Sequence, residues 1–389
     1  MYLHDLGISC ALGDSQSLVL SSWLSGRSHQ AQTVPWLHTD VPAFVINTEL
    51  PAVPEKLKRY DCRNNRLLLA ALSQIETTVV QALDRYGAER IGLVLGTSTS
   101  GIAEGEVALE ALRASGSMSG TFDYKQQELG GAAEFLASFL GIRGPAYTVS
   151  TTCSSSANAL VSARRLLNLN LCDAVIVGGS DALCRTTLEG FSALGAISRT
   201  RCNPFSQNRD GTVIGEGVAL FVMSREPSAI ALLGAGASAD AYHISAPRPD
   251  GAGAYAAMKA ALDDAAMLPE TIDYINLHGT ATLQNDAMES RAVAQLFGNQ
   301  TLCSSSKSVT GHCLGAAGAI EAGLCWLLLS ERNSENRLPP HQWDGKADPE
   351  LASLAFVTLE NQHIKRLQYC LSNSFSFGGN NVSLLIGRP

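Results

Sequence analysis

YTVSTTCSSSANALVSARRLL, residues Tyr147 to Leu167, decides how this chain folds. An extended β-branched run ends in Thr151 and Thr152, and one cysteine, Cys153, follows. Ser154, Ser155 and Ser156 come next, then small residues and leucines at helical spacing. The pattern predicts a strand, a sharp turn and a helix, with a thiol at the turn. A cysteine at a helix N-terminus faces unpaired amide N–H groups and the positive end of the macrodipole. That placement predicts a sulfur biased towards thiolate, the nucleophilic form. The small neighbours let a substrate and a second helix come close. A lone cysteine here would more often be a buried filler of an α/β core, so the reading depends on the rest of the chain.

The chain has 389 residues, enough for one large domain or two ordinary ones. A formal net charge of −8 leaves no basic surplus to neutralise phosphates, so nucleic acid is not expected as a partner. MYLHDLGISC lacks the basic start and apolar core of a signal peptide. The apolar run Leu324 to Leu329 lies between Glu321 and Glu331 and is too short to insert in a membrane. None of the ten cysteines is spaced C-x-x-C, so they read as reduced thiols in a cytoplasmic protein.

Outward from Cys153, the same grammar recurs. Ile91 to Leu95 is a buried-strand pattern ending in GTSTSG, residues 96–101, and Ala174 to Val177 is another ending in GGSDA. Leu67 to Leu83 reads as one apolar helix, preceded by basic residues: Lys58, Arg59, Arg63 and Arg66. Ser224 to Ala229 is polar with a proline and marks the boundary between an N-terminal half, 1–224, and a C-terminal half, 225–389. In the second half the strand Tyr274 to Leu277 ends in HGTAT, a helix follows around Glu289, and Thr301 to Leu329 reads strand, loop and long helix. Two βαβ-rich halves predict a pseudo-twofold α/β fold with mostly parallel sheets covered by helices. Four distant spots share one form, a reactive or aromatic group at a strand end, three of them beside glycine: Cys153, His278, the Lys307/His312 pair, and Phe377-Gly378-Gly379.

These motifs, TTCSSSA, PFSQNRDGTVIGEG, HGTAT with Asn285-Asp286, SSKSVTGHCLGAAG and NSFSFGGNN, together resemble the β-ketoacyl-acyl-carrier-protein synthases of the thiolase-like superfamily. The resemblance covers essentially the whole chain. It implies a five-layered αβαβα duplication, normally dimeric, that catalyses decarboxylative Claisen condensation. Cys153, His278 and His312 take the Cys-His-His positions, and Lys307 matches the family's lysine. Glu321, Asp286 and Glu289 match supporting acidic positions. Phe377, Gly378 and Gly379 match the glycine-rich gate, with the Cys153 and Phe377 N–H groups as the oxyanion hole. No metal and no resident cofactor is implied, because phosphopantetheine arrives on an acyl carrier protein. Lys58, Arg59, Arg63 and Arg66 would receive that acidic carrier, with Arg199 or Arg201 contributing.

The chain departs from the family pattern in places. Ser206, Leu283, Asn158 and Ser376 replace aspartate, proline, histidine and glycine respectively, and Ser98 and Thr99 would polarise the acyl pocket. The compact ISRTRCNPFSQNRDG loop resembles polyketide ketosynthases, which points to polyketide or polyene chains as well as fatty acids. Such enzymes act as homodimers or pair with a paralogous chain-length factor that lacks the cysteine. The competing reading, that this chain is itself that non-catalytic partner, is disfavoured by Cys153, His278, Lys307 and His312 all being present.

Overall fold

The computed structural model describes every residue except Ser119. In the first half the elements are β1 (Tyr2–Ser9), α1 (Gln16–Leu24), β2 (Ala43–Phe44), α2 (Arg63–Gln74), α3 (Glu76–Tyr86), β3 (Ile91–Gly96), α4 (Ile102–Ser115), α5 (Gly131–Leu140), β4 (Ala146–Val149), α6 (Ser155–Asn168), β5 (Ala174–Asp181), α7 (Arg185–Ala193), β6 (Ile214–Gly215) and β7 (Gly217–Ser224). In the second they are β8 (Ala231–Ala239), α8 (Ala252–Asp264), β9 (Tyr274–Leu277), α9 (Leu283–Phe297), β10 (Leu302–Ser305), α10 (Lys307–Thr310), α11 (Ala317–Leu329), β11 (Ala355–Phe356), β12 (Tyr369–Phe375) and β13 (Asn380–Gly387).

The strands β11-β10-β9-β12-β13-β8 of one half and β1-β7-β5-β3-β4 of the other lie in that order. They meet at one residue pair, Tyr2 opposite Ala231, flanked by Leu3 N–H to Ile230 O and Leu232 N–H to Met1 O. Helices α2, α3 and α5 cover the first half-sheet, α8 and α9 the second, and α6 and α11 fill the space between them. This is the expected α/β duplication in five layers, αβαβα.

The sheet is less parallel than the sequence suggests. Only the flanks, β4-β3-β5 and β12-β9-β10-β11, are parallel; every pair from β5 through β7, β1, β8 and β13 to β12 is antiparallel. Parallel neighbours need a long crossover, as between β3, β4 and β5, whereas β7 to β8 and β12 to β13 are joined by short links that turn the chain back. Strands β12 and β13 are joined by residues 376–379 alone. The single apolar helix expected over 67–83 is two helices, broken where Ile75 leaves helical geometry (φ −119°, ψ 14°). Ile75 is buried, so core packing takes the residue that helix continuity would have kept.

The two central helices approach through small residues. A Cβ on Gly318 of α11 would stand 2.8 Å from the Ala157 backbone nitrogen of α6, and one on Gly96 would stand 2.3 Å from Ser156 N. Ser156 Oγ accepts the otherwise unpaired N–H of Ala319 at the start of α11 (2.8 Å). Apart from the half-buried Trp326, α11 is buried all round, Glu321 included.

Candidate active site

Cys153 sits between β4 and α6 on a turn whose preceding residue, Thr152, has φ +54°. A β-branched residue rarely takes that conformation, and it persists only where its surroundings over-determine it. Here they do. The Ser155 N–H, the Ser155 hydroxyl and the Ser98 hydroxyl all donate to Thr152 O, and the Thr152 hydroxyl donates to Phe377 O (2.8 Å).

Cys153 Sγ lies 3.0 Å from His312 Nε2. The His278 ring stands edge-on to that of His312, centroids 5.4 Å apart. The backbone N–H groups of Phe377 and of Cys153 itself both point at the sulfur. All three reactive side chains line one cavity of about 280 Å³, with Phe191, Leu194, Thr280, Leu283 and Phe377 among its other walls.

The second half delivers its histidines by different means. His312 is strapped to the first half by its backbone: its N–H donates to Val213 O (2.7 Å) and its C=O accepts from Gly215 N (3.0 Å). That contact needs glycine on both sides, since a Cβ on Gly215 would stand 2.2 Å from Thr310 O and one on Gly311 2.8 Å from Gly215 N. His278 closes β9, and Glu289 of α9 receives the N–H groups of His278 and Gly279, 2.7 Å each. Asp286 accepts from Phe205 N (2.7 Å) and Ala281 N (3.2 Å). The two acids therefore pin the HGTAT turn from behind and do not face the cavity. Burial pushes Glu289 up to about 7 and Asp286 up to about 6 despite those donors. Lys307, fully buried, pairs with Glu321 of α11.

Burial holds both imidazoles well below the usual histidine range, with the Lys307 charge adding to it and His312 adding further at His278. Both are neutral donors or acceptors near neutral pH. The thiol differs from the sequence expectation. Burial pushes Cys153 up to about 12; Lys307 and the two N–H groups oppose this without overcoming it. The helix start does aim its amides at the sulfur, but desolvation of a buried thiolate outweighs them. The resting form is a neutral thiol beside His312.

Other expectations are corrected. Ser98 and Thr99 do not line the cavity at Cys153. The Thr99 hydroxyl is bonded to Asp181 (2.8 Å), and the backbone N–H groups of Ser98 and Thr99 also end on Asp181. They buttress the nucleophile turn. Asp181, which sequence reasoning missed, also accepts from Thr97 and from Ala316 N near the start of α11. Its signal was present: a carboxylate closing an otherwise apolar strand. Phe191, stacked on Phe377 at 5.5 Å, gave no signal within a stretch that reads as irregular.

The basic cluster is not a free basic face. Arg63 is clamped on the buried Glu216 (Nε to Oε2 2.8 Å) and on Ile46 O; Arg66 takes Asp61 through both nitrogens; Lys58 pairs with Glu55 and Arg59 with Asp123. Lys58, Arg63 and Arg66 border a separate cleft of about 870 Å³ that also carries Glu49, Glu104, Glu106 and Glu110. It shares no wall with the Cys153 cavity. Arg199 and Arg201, by contrast, are exposed and take no ion pair among the described residues; they follow Ala196, a wall of the Cys153 cavity, by three and five positions.

Comparison with known proteins agrees with this geometry. Residues 53–229 match the family model described as beta-ketoacyl synthase, N-terminal domain, and residues 230–339 the beta-ketoacyl synthase, C-terminal domain. The chain is 33% identical over 352 residues to 3-oxoacyl-[acyl-carrier-protein] synthase 2 of Staphylococcus aureus, covering 86% of this chain and 83% of that protein. It is 32% identical over 401 residues to nodulation protein E of Rhizobium leguminosarum bv. trifolii, 97% and 96% covered. Among solved structures, a chain of the ketosynthase ApeO in complex with its chain length factor ApeC, from Xenorhabdus doucetiae, superposes with a TM-score of 0.93 at 44% identity, covering 100% of this chain and 98% of that one.

Proposed function

This chain belongs to the β-ketoacyl synthase family of condensing acyltransferases, and from that premise we propose that Cys153 carries the growing acyl chain while His278 and His312 drive decarboxylation of a malonyl thioester. The observation that carries the reading is the 3.0 Å contact of Cys153 Sγ with His312 Nε2, in one cavity with His278.

The steps follow from the groups in place. An acyl thioester delivered on a carrier protein's phosphopantetheine arm meets the thiol as His312 Nε2 takes its proton. The tetrahedral oxygen forms where the N–H groups of Cys153 and Phe377 point. Collapse expels the arm's sulfur, which recovers the proton, and leaves acyl-Cys153. No step so far changes the oxidation state of any atom. A malonyl thioester then places its carbonyl oxygen on the two neutral imidazoles. Carbon dioxide departs, and the electron pair of the broken C–C bond becomes an enolate held by two N–H donors. Its carbon attacks acyl-Cys153, and the expelled Cys153 thiolate takes up one proton from solvent as the 3-oxoacyl product leaves. Imidazolium would be a poor partner for the earlier thiol step, so burial keeps both rings useful throughout.

The carrier protein would dock at the cavity mouth through Arg199 and Arg201, which are free to meet an acidic surface. A second subunit would add to β4, which pairs on one side only and whose outer edge is partly open. The 44% identity to a chain of the ApeO/ApeC complex supports a chain-length factor as that partner. The test is mass spectrometry of the Cys153 peptide after incubation with defined acyl carrier proteins, followed by malonyl carrier protein. Acyl mass on Cys153, discharged as 3-oxoacyl product, is expected. No acyl mass, or acyl mass on another cysteine, overturns the reading.

A further inference from the structure

The loop 376–379 supplies the Phe377 N–H yet contains two consecutive left-handed glycines, Gly378 (φ +82°) and Gly379 (φ +74°). Such a segment has little conformational stiffness of its own. Its backbone closes on itself through Ser376 N to Asn380 O and Gly379 N to Ser376 O (3.0 Å each), and is tied outward to other backbone only at Gly378 N to Ile244 O (2.9 Å) and at Gly379 O, which accepts from Asp240 N (2.8 Å). Towards the nucleophile turn it is held by side chains. Thr152 reaches Phe377 O, as above. The buried Ser376 hydroxyl donates to Asn380 O (2.8 Å), lies 3.3 Å from Thr151 O, and meets Ser154 Oγ at 3.2 Å. Ser154 Oγ in turn meets Thr151 Oγ1 (3.1 Å), which accepts from Asn158 Nδ2 on α6 (3.0 Å). Ser376 and Asn158 are two of the positions at which this chain departs from the pattern it resembles.

We propose that Ser376 is a positioning residue: its hydroxyl, through Ser154, Thr151 and Asn158, fastens loop 376–379 to the start of α6 and fixes the Phe377 N–H where the acyl oxyanion forms. Without the hydroxyl, β12 and β13 still pair and Cys153 stays on its turn, but the donor drifts relative to the sulfur. The effect would fall on acyl transfer and not on the thiol's accessibility. This rests on the reading of Cys153 as the acyl-carrying nucleophile.

The experiment compares two reactions of one sulfur. Transfer from acyl carrier protein passes through an oxyanion; alkylation by iodoacetamide, a displacement at saturated carbon, does not. Ser376→Ala and Ser376→Gly are expected to slow acylation of Cys153 about tenfold or more at saturating donor. The donor concentration for half-maximal rate should hold within about twofold, and the alkylation rate should hold too. Ser376→Thr, which keeps the hydroxyl and suits the extended backbone there (φ −110°, ψ 158°), should restore acylation. Acylation unchanged in the Ala and Gly variants overturns the assignment. So do acylation and alkylation falling together, or failure of the Thr variant to recover. A wild-type chain that never forms acyl-Cys153 would instead sink the function proposed above, which separates the two failures.

Discussion

Lys307 and Glu321 offer the sharpest test of what holds the site. Their side chains are 0% and 3% exposed, and each is the other's ion-pair partner. Ser306 Oγ, 3.5 Å from Glu321, is too distant to stand in for the lysine. Removing one partner from a buried pair leaves an uncompensated charge and costs about 3–5 kcal/mol. Lys307→Met and Glu321→Met should each pay that penalty. Unfolding entropy of about 2.1 cal/mol/K per residue gives about 0.8 kcal/mol/K for a 389-residue chain, so each variant should melt about 4–6 °C lower. The double variant has no orphaned charge and a similar core volume, and should be more stable than either single. Calorimetry and urea unfolding monitored by tryptophan fluorescence measure all four proteins. Single variants costing under about 1 kcal/mol, or a double variant as unstable as the sum of the singles, would refute the argument. The pair also has a kinetic signature. Lys307 lowers both imidazole pKa values after burial has done most of the lowering. Without its charge they rise, so the acid limb of condensation in the double variant should move to higher pH while staying below the ordinary histidine value of 6.5.

His278→Ala should cut malonyl decarboxylation about 100-fold or more while leaving acylation of Cys153 nearly intact, because only the enolate needs that donor; discharge and single-turnover acylation assays on the same protein separate the two. Alkylation of Cys153 should rise about tenfold per pH unit from 7 to 10, with no plateau near 8, because burial raises its pKa to about 12; a plateau near 8 would mean that the amides win. The same shift carries a stability consequence: the neutral thiol's contribution is complete below the unfolded value of about 9 and is lost as pH rises through 12. The histidines act in the opposite sense, since their depressed pKa values lend stability above 6.5 that is lost as pH falls through the folded values. Arg199→Glu with Arg201→Glu should raise KM for acyl carrier protein about tenfold and leave kcat and the iodoacetamide rate unchanged, as steady-state kinetics would show.

Much of this site can be read from local sequence because its parts are local. A thiol before a helix, histidines beside glycines, and a lysine fourteen positions before a glutamate are patterns within one or two elements. What the sequence hides depends on partners far along the chain. Arg63 looks like a docking residue until Glu216 is brought beneath it from the link between β6 and β7, 153 positions on. Thr99 looks like a pocket wall until Asp181 takes its hydroxyl. The helix start alone points the Cys153 shift downward, whereas dipole and burial compete there, and burial is a property of the finished fold. The pseudo-twofold α/β duplication followed from the repeated βαβ grammar and its five layers from the family resemblance, while the antiparallel centre followed from neither, because pairing direction depends on which ends the loops connect.

The seam at Gly215 and Gly311 has a consequence beyond backbone geometry. Two missing side chains act as a gauge: they set how far the imidazole of one half stands from the sulfur of the other. A single methyl at residue 215 would prise them apart without altering any atom that reacts. Such a protein would keep its core and its cavity and lose its chemistry, so the route from a working subunit to a silent paralogue can be as short as one methyl group.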